Sequence, residues 1–375
     1  MELSPVLAGL AQYPFARLDA WRVEARERGL TTIDFGVGDP REATPAFIRE
    51  ALVAGIEERS SYPRAAGLPE LRTAIADWIA RRYSLAIEPA VEIVPTLGSK
   101  EAIFSFAQMA VGKRRVIAIP EPGYPVYERG ALFAGAEVIT VPLREGSDWL
   151  PDLDAFDRWD ELALFWTCYP NNPTGATAPL SFYEELAARA RAHDFLLCSD
   201  EAYSELWFDA PPVSALQVAD RRNIVVFNTL SKRSSMTGYR SGFVCAPAEV
   251  TDALRAFRPS TGTAPQEFVQ RASIAAWADE VHVEAVREVY HRKRETLLPV
   301  LESKGLRHTG GEATFFLWLA VEGPSEAFAR RLLEHGLVVA PGSFFGPAGE
   351  GYVRLALVPT QPECERAAEI LASIL

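Results

Sequence analysis

Lysine amines form Schiff bases with carbonyl compounds, and this sequence offers five lysines among 375 residues. Lys113, in Gly112-Lys113-Arg114, and Lys304, before Gly305, have the surroundings of solvated turns, and Lys293 lies in a charged helical stretch. Lys232 stands apart. It follows the strand-like run Ile224-Val225-Val226-Phe227 and the sequence Asn228-Thr229-Leu230-Ser231, and Arg240 comes eight residues later, in Gly238-Tyr239-Arg240-Ser241-Gly242. Upstream lie Asn171-Asn172-Pro173-Thr174-Gly175 and Asp200-Glu201-Ala202-Tyr203. An amide, a carboxylate, a phenol, an amine and a guanidinium therefore occur in an order that suits Schiff-base chemistry on a bound, anionic carbonyl compound.

Each group has a functional and a plainer reading. Gly98-Ser99-Lys100-Glu101-Ala102 opens a predicted helix, Ser99 to Ala110, after the strand-like stretch Glu92 to Pro95. Glycine and free N–H groups at a helix start bind phosphate, though every helix has such a start. Arg240 could grip a phosphate with both guanidinium arms or form a surface ion pair. Asp200 ends an apolar run, where it either caps a helix or partners a buried cation such as a protonated ring nitrogen. Asn172 and Tyr203 could donate to a phenolate oxygen, but Asn-Pro is also a common turn pair. Tyr124 could stack on a ring or simply pack. Arg354 is flanked by apolar residues in Tyr352-Val353-Arg354-Leu355-Ala356. It needs a partner, either a substrate carboxylate or an interdomain salt bridge.

Helix and strand signals alternate from about residue 46 to 260. The spacing of Leu71, Ala74, Ile75, Trp78 and Ile79 predicts a helix over 70–83. Short buried strands are predicted at 116–119, 137–141, 162–166, 195–198, 224–227 and 242–245, and a helix over 181–193 with Ser181 as N-cap and Glu184 three residues on. Buried strands separated by helices make an α/β fold with a largely parallel sheet, and ligands in such sheets collect beyond the strand carboxyl ends. After residue 260 the pattern changes: a long charged helical stretch over 265–302 that breaks near Asp279-Glu280, strands near 314–319, 338–339 and 352–358, and helices over 325–335 and from Pro362. The expected domains are 46–260, and 1–45 together with 261–375. A net charge of −12 argues against a nucleic-acid surface. No apolar run approaches the ~18 residues that would span a membrane. The start has no leader-like pattern, and the unpaired pattern of Cys168, Cys198, Cys245 and Cys364 fits a reduced, cytoplasmic protein. No metal site is expected.

Over nearly its whole length the chain resembles the fold-type I pyridoxal-phosphate (PLP) aminotransferases of class I/II. The matching motifs are Gly36-Val37-Gly38-Asp39-Pro40, Tyr62-Pro63 with Gly67-Leu68-Pro69-Glu70-Leu71-Arg72, Gly98-Ser99-Lys100-Glu101, Pro122-Gly123-Tyr124-Pro125, Asn171-Asn172-Pro173-Thr174-Gly175, Asp200-Glu201-Ala202-Tyr203, Ser231-Lys232 with Arg240-Ser241-Gly242, and Val353-Arg354-Leu355. The resemblance implies a large domain with a mostly parallel seven-stranded sheet between helices and a smaller α/β domain. It implies that Lys232 carries the PLP and shuttles protons, that Asp200 pairs with the ring nitrogen, and that Asn172 and Tyr203 bind the ring oxygen. Tyr124 would stack on the ring. Gly98, Ser99, Lys100 (through its backbone), Thr229, Ser231 and Arg240 would hold the phosphate. Tyr62 would reach the phosphate of a neighbouring subunit in a homodimer, and Val37, Gly38, Asn172 and Arg354 would bind the substrate's α-carboxylate. The implied reaction is ping-pong exchange between an amino acid and a 2-oxo acid.

Arg233, directly after the lysine, and Arg258-Pro259-Ser260-Thr261-Gly262 are most similar to the succinyldiaminopimelate aminotransferase branch. This implies N-succinyl-LL-diaminopimelate and 2-oxoglutarate as substrates, in lysine biosynthesis. The alternatives are another donor (aspartate, alanine, an aromatic amino acid or LL-diaminopimelate), β-elimination at a C–S bond, and a PLP-sensing regulatory domain. A distal carboxylate would need a cation, for which Arg258, Arg64, Lys100 and Arg17 are candidates.

Overall fold

Seven strands build the central sheet, in the order Ile93–Thr96, Gly242–Cys245, Ile224–Thr229, Leu196–Asp200, Leu162–Cys168, Val116–Glu121 and Glu137–Pro142. This computed structural model describes residues 4–9, 13–59 and 61–375; the start at Met1 to Leu3, read above for a leader, lies outside them. All neighbours run parallel except Gly242–Cys245, which is antiparallel to both of its own. The central strands are apolar on both faces; every residue of Leu162–Cys168 is buried, as helices on both sides of a parallel sheet require.

This topology gathers the chemistry at one edge. Cys168, Asp200 and Thr229 sit at the carboxyl ends of their strands. The reversed strand starts where its neighbours end, with Gly242 in register with Thr229 and with Thr96. Arg240 and Ser241, just before it, therefore reach the edge from which the helix Gly98–Ala110 departs.

A three-stranded antiparallel sheet comprises Ala340–Pro341, Tyr352–Ala356 and Phe316–Ala320. Ile33–Asp34 pairs in parallel with Leu337–Val338, and the Ala356 amide donates to the Phe35 carbonyl at 2.7 Å. The helix Pro14–Glu27, which no sequence signal marked, buries Leu18, Trp21 and Ala25. Its Trp21 ring lies 5.9 Å from that of Phe344.

Pro69–Tyr83 forms the expected helix and buries Leu71, Ile75, Trp78 and Ile79. The charged stretch is two helices, Glu267–Ala278 and Val281–Ser303, interrupted at Asp279-Glu280 as read. Ser181 is not an N-cap: the helix is Leu180–His193, its cap position is Pro179, and no side chain caps it. Pro179 has no side-chain acceptor to offer, and its carbonyl instead takes the Phe182 amide at 3.1 Å, which starts the helix ahead of Ser181. All four cysteines are buried and free. No helix among the described residues is long and apolar enough to cross a membrane.

Candidate active site

A cavity of about 340 Å³ opens at this sheet edge, between the seven-stranded sheet and the segments carrying Val37-Gly38 and Arg354. Of the residues expected to bind the cofactor or the substrate's α-carboxylate, all but Gly98 and Tyr62 line it.

Lys232 lies on the single helical turn Leu230–Arg233 that follows strand Ile224–Thr229. Thr229 starts the turn, its hydroxyl accepting from the Ser231 amide at 3.2 Å. The Lys232 ammonium donates to the Gly38 carbonyl. Burial pushes its pKa down to about 8; Arg354, Arg240 and Lys100 add to the effect and Asp39 opposes it. The amine is thus a far better nucleophile near neutral pH than an exposed lysine.

Asp200 is 4% exposed, and no cation pairs with it among the described residues. Tyr127 donates to one carboxylate oxygen at 2.8 Å and the Ala202 amide to the other at 3.2 Å. Burial raises its pKa to about 6, with those two hydrogen bonds opposing. A carboxyl pKa raised by folding makes the ionised form a cost. The cost is absent below about 3.8 and complete above about 6, on the order of 3 kcal/mol at most. Asp200→Asn should therefore raise the melting temperature of the ligand-free protein at pH 8, with the gain disappearing towards pH 4. Equal gains at both pH values would show that the charge of Asp200 is not the cause.

Arg354 is the reciprocal case. Its strand places it between Ala340 and Trp318. It is 2% exposed, and no carboxylate pairs with it among the described residues, so the interdomain salt bridge is not formed. It donates to Asn172 Oδ1 at 2.8 Å and to the Gly36 carbonyl at 2.6 Å, and its Nε has no partner. Burial lowers its pKa to about 10.

The anion-binding end is built from hydroxyls, a helix start and Arg240. Gly98 opens its helix at φ +75°, and a Cβ there would stand 2.7 Å from the Arg240 guanidinium, so glycine is what admits the arginine. Arg240 donates to the Thr237 and Leu97 carbonyls at 2.8 and 3.1 Å and has no carboxylate partner among the described residues. Ser99 lines the same wall, and Thr229 and Ser231 bring their hydroxyls to 2.9 Å of each other. Tyr203 is buried and Tyr124 partly buried beside these groups, and desolvation raises both phenols so that they stay protonated.

Tyr62 is fully exposed, away from the cavity. Of the suggested distal cations only Lys100 lines it. Arg258 is buried against both oxygens of Glu101, at 2.9 and 3.0 Å, Arg17 pairs with Glu326, and Arg64 is on the surface. Arg258 is buried outside the cavity, so its unpartnered Nε and Nη2 do not face a substrate there. Sequence reasoning missed Tyr127, on the helix Val126–Phe133, and Tyr13, Phe15 and Phe316, which wall the cavity. Nothing in their local patterns distinguishes them from core aromatics.

A buried carboxylate without a cation, a buried guanidinium without an anion and a hydroxyl-rich helix start with its own arginine fit PLP. The ligand has a ring nitrogen that can be protonated at one end and a phosphate at the other. The comparisons agree. Residues 31–371 match the family "Aminotransferase class I and II". An LL-diaminopimelate aminotransferase of Aquifex aeolicus is 39% identical over 98% of both chains. The crystal structure of an aminotransferase from Neisseria meningitidis superposes with a TM-score of 0.92 at 38% identity, covering 99% of each chain. A probable N-succinyldiaminopimelate aminotransferase of Thermus thermophilus gives 0.90 at 29% identity, covering 96% of this chain and all of that one. The chain belongs to the class I and II aminotransferases and is a PLP-dependent enzyme of fold type I.

Proposed function

We propose that the amino donor is LL-diaminopimelate and the acceptor 2-oxoglutarate. The observation that carries this reading is the charge left over in the cavity wall. Arg240 is matched by the cofactor phosphate and Arg354 by the donor's α-carboxylate. Asp39 and Lys100 then remain, and neither has a carboxylate–cation partner among the described residues. One anion and one cation suit a distal end that carries both an ammonium and a carboxylate. The Aquifex relative's description points the same way. N-succinyl-LL-diaminopimelate is the second reading, supported by Arg233 and the Thermus neighbour; its distal nitrogen is an uncharged amide, which leaves Asp39 unmatched.

When bound, PLP supplies the electron sink that lets the Cα–H bond ionise and the amino group change carriers. In this reading Lys232 takes and returns the proton at Cα. Asp200 holds the ring nitrogen protonated. Tyr203 and Asn172 donate to the ring oxygen, and Tyr124 covers one ring face. Ser99, Thr229, Ser231, Arg240 and the backbone at Gly98 and Lys100 hold the phosphate. Arg354, with Asn172 and the Val37-Gly38 backbone, fixes the α-carboxylate and hence the direction of the bond to be broken.

We further propose a homodimer in which Tyr62 reaches the neighbouring subunit's phosphate; its full exposure, and the exposure of Val53 and Ile56 shortly before it in the chain, support this. Residues 46–260 would form the cofactor-bearing unit, and 1–45 with 261–375 the smaller one carrying Arg354. In support, the seven-stranded sheet lies wholly within 93–245, and the two smaller sheets take all their strands from 33–34 and 316–356.

The donor is tested by adding single amino compounds to the cofactor-loaded enzyme without acceptor and following loss of the cofactor's visible band. LL-diaminopimelate should bleach it at least ~10-fold faster than its N-succinyl derivative, one ion pair's worth of discrimination. The reverse order would select the second reading, and pyruvate with ammonia from a cysteine-type donor would indicate elimination.

A further inference from the structure

Arg233 and Ser234 follow the reacting lysine directly, yet neither touches the cavity. Both face a buried polar cluster behind it. The turn that carries Lys232 has only four residues, ends at Ser234, and is followed by Ser235 at φ +50°. One helical turn cannot hold itself in place, so its position depends on what braces it.

The bracing is specific. The Arg233 guanidinium, 1% exposed, donates to the carbonyls of Ala276 at 2.7 Å and Asp279 at 3.1 Å and to Glu280 Oε1 at 2.7 Å. It also lies over the Trp277 ring at 5.0 Å. Ser234 Oγ is 2.9 Å from His282 Nε2, and His282 Nδ1 is 2.6 Å from Asp279 Oδ2. The carboxylate assigns the proton to Nδ1, which leaves Nε2 to accept from the Ser234 hydroxyl. Asp279 sits in the break between two helices, where its carboxylate also takes the His282 amide at 2.9 Å.

Serine, histidine and aspartate in this order form the arrangement of a hydrolytic triad, but Ser234 has no exposed surface, and no acyl group can reach it. The geometry must serve something else. We propose that Ser234, His282 and Asp279, with Arg233, form a positioning relay that fixes the Lys232 turn at the height from which its amine reaches both the cofactor and the donor's Cα. From the far side, Thr44 Oγ1 donates to the Ser235 carbonyl at 2.6 Å, so the turn is clamped between the relay and the segment that follows Val37-Gly38. None of the four relay residues meets substrate; they act through Lys232. The inference rests on the role given to Lys232 above.

The test uses the cofactor-loaded enzyme, three single variants, and the double variant that combines Ser234→Ala with His282→Phe. His282→Phe keeps a ring and removes both nitrogens, Ser234→Ala removes one hydroxyl, and His282→Gln restores an acceptor for Ser234 and a donor for Asp279. The first readout is the pH midpoint of the cofactor's visible absorption, which reports protonation at the Lys232 nitrogen. The second is kcat separated from KM. His282→Phe and Ser234→Ala should each move the midpoint and lower kcat about 10- to 100-fold, the size expected when a reacting group is displaced by about 1 Å. KM for the donor should change much less. The double variant should be no worse than the weaker single one, and His282→Gln should recover part of kcat and of the midpoint. Wild-type midpoint and kcat in folded Ser234→Ala would overturn the relay, whether or not His282→Phe folds. A wild-type protein that forms no band at all would instead overturn the role of Lys232.

Discussion

Lys232→Ala should lose turnover by about 10⁴-fold, the upper range for removing a positioned acid–base group. It should also lose the attachment of the cofactor, which borohydride fixes to Lys232 in the wild type and which mass analysis of the peptide then reads. Two properties of the site make the effect this large. The amine's pKa is brought down to about 8 by burial and by Arg354, Arg240 and Lys100. It is also held towards Gly38, so that it points into the cavity rather than into solvent. Neither Lys100, which is solvent-exposed, nor Lys293, buried on Glu42, can replace it. The fold should survive, because the Lys232 side chain faces the cavity and its hydrogen bond goes to Gly38, which lies outside any strand or helix. Full activity in Lys232→Ala would sink the assignment, and partial recovery on adding a small primary amine would support it.

What the sequence showed and what it hid follow from physical range. The parallel strands were legible because burial on both faces imposes short, wholly apolar runs, as in Leu162–Cys168. The motif residues were legible because they sit beside such runs, and the strand carboxyl ends bring them together. The break at Asp279-Glu280 was legible because acidic residues interrupt an apolar period. Partners distant in sequence were not. Asp200 meets Tyr127 across 73 positions and Arg258 meets Glu101 across 157, and neither pairing leaves a local mark. That is why Arg258 looked available for a substrate when it is buried outside the cavity and paired with Glu101. The helix Pro14–Glu27 was hidden for another reason: its apolar residues are spread round it, Val23 exposed while Leu18, Trp21 and Ala25 are buried, and it is anchored by Trp21 and by ion pairs such as Arg17 with Glu326.

Arg354→Ala should lower kcat/KM for every amino donor and every 2-oxo acid, by about 10²- to 10³-fold. Two charge-assisted hydrogen bonds in a dry site contribute about 3–4 kcal/mol, and each 1.4 kcal/mol is tenfold. The loss must be uniform, because the α-carboxylate is the one group that all these substrates share. The protein holds this guanidinium at a disadvantage. It is buried, its pKa is pressed down to about 10, its Nε is unpartnered, and Asn172, the Gly36 carbonyl and the faces of Phe316, Phe345 and Phe15, at 4.3, 4.7 and 5.5 Å, offset the charge only in part. Such a cation is stabilised fully only when an anion arrives, so its cost in the empty site becomes affinity in the filled one. Arg354→Lys should recover little, since a point charge cannot replace a planar fork facing a planar carboxylate. Steady-state kinetics with glutamate, LL-diaminopimelate and 2-oxoglutarate decides the matter. If one substrate suffers and the others do not, Arg354 reads a side chain rather than the shared carboxylate.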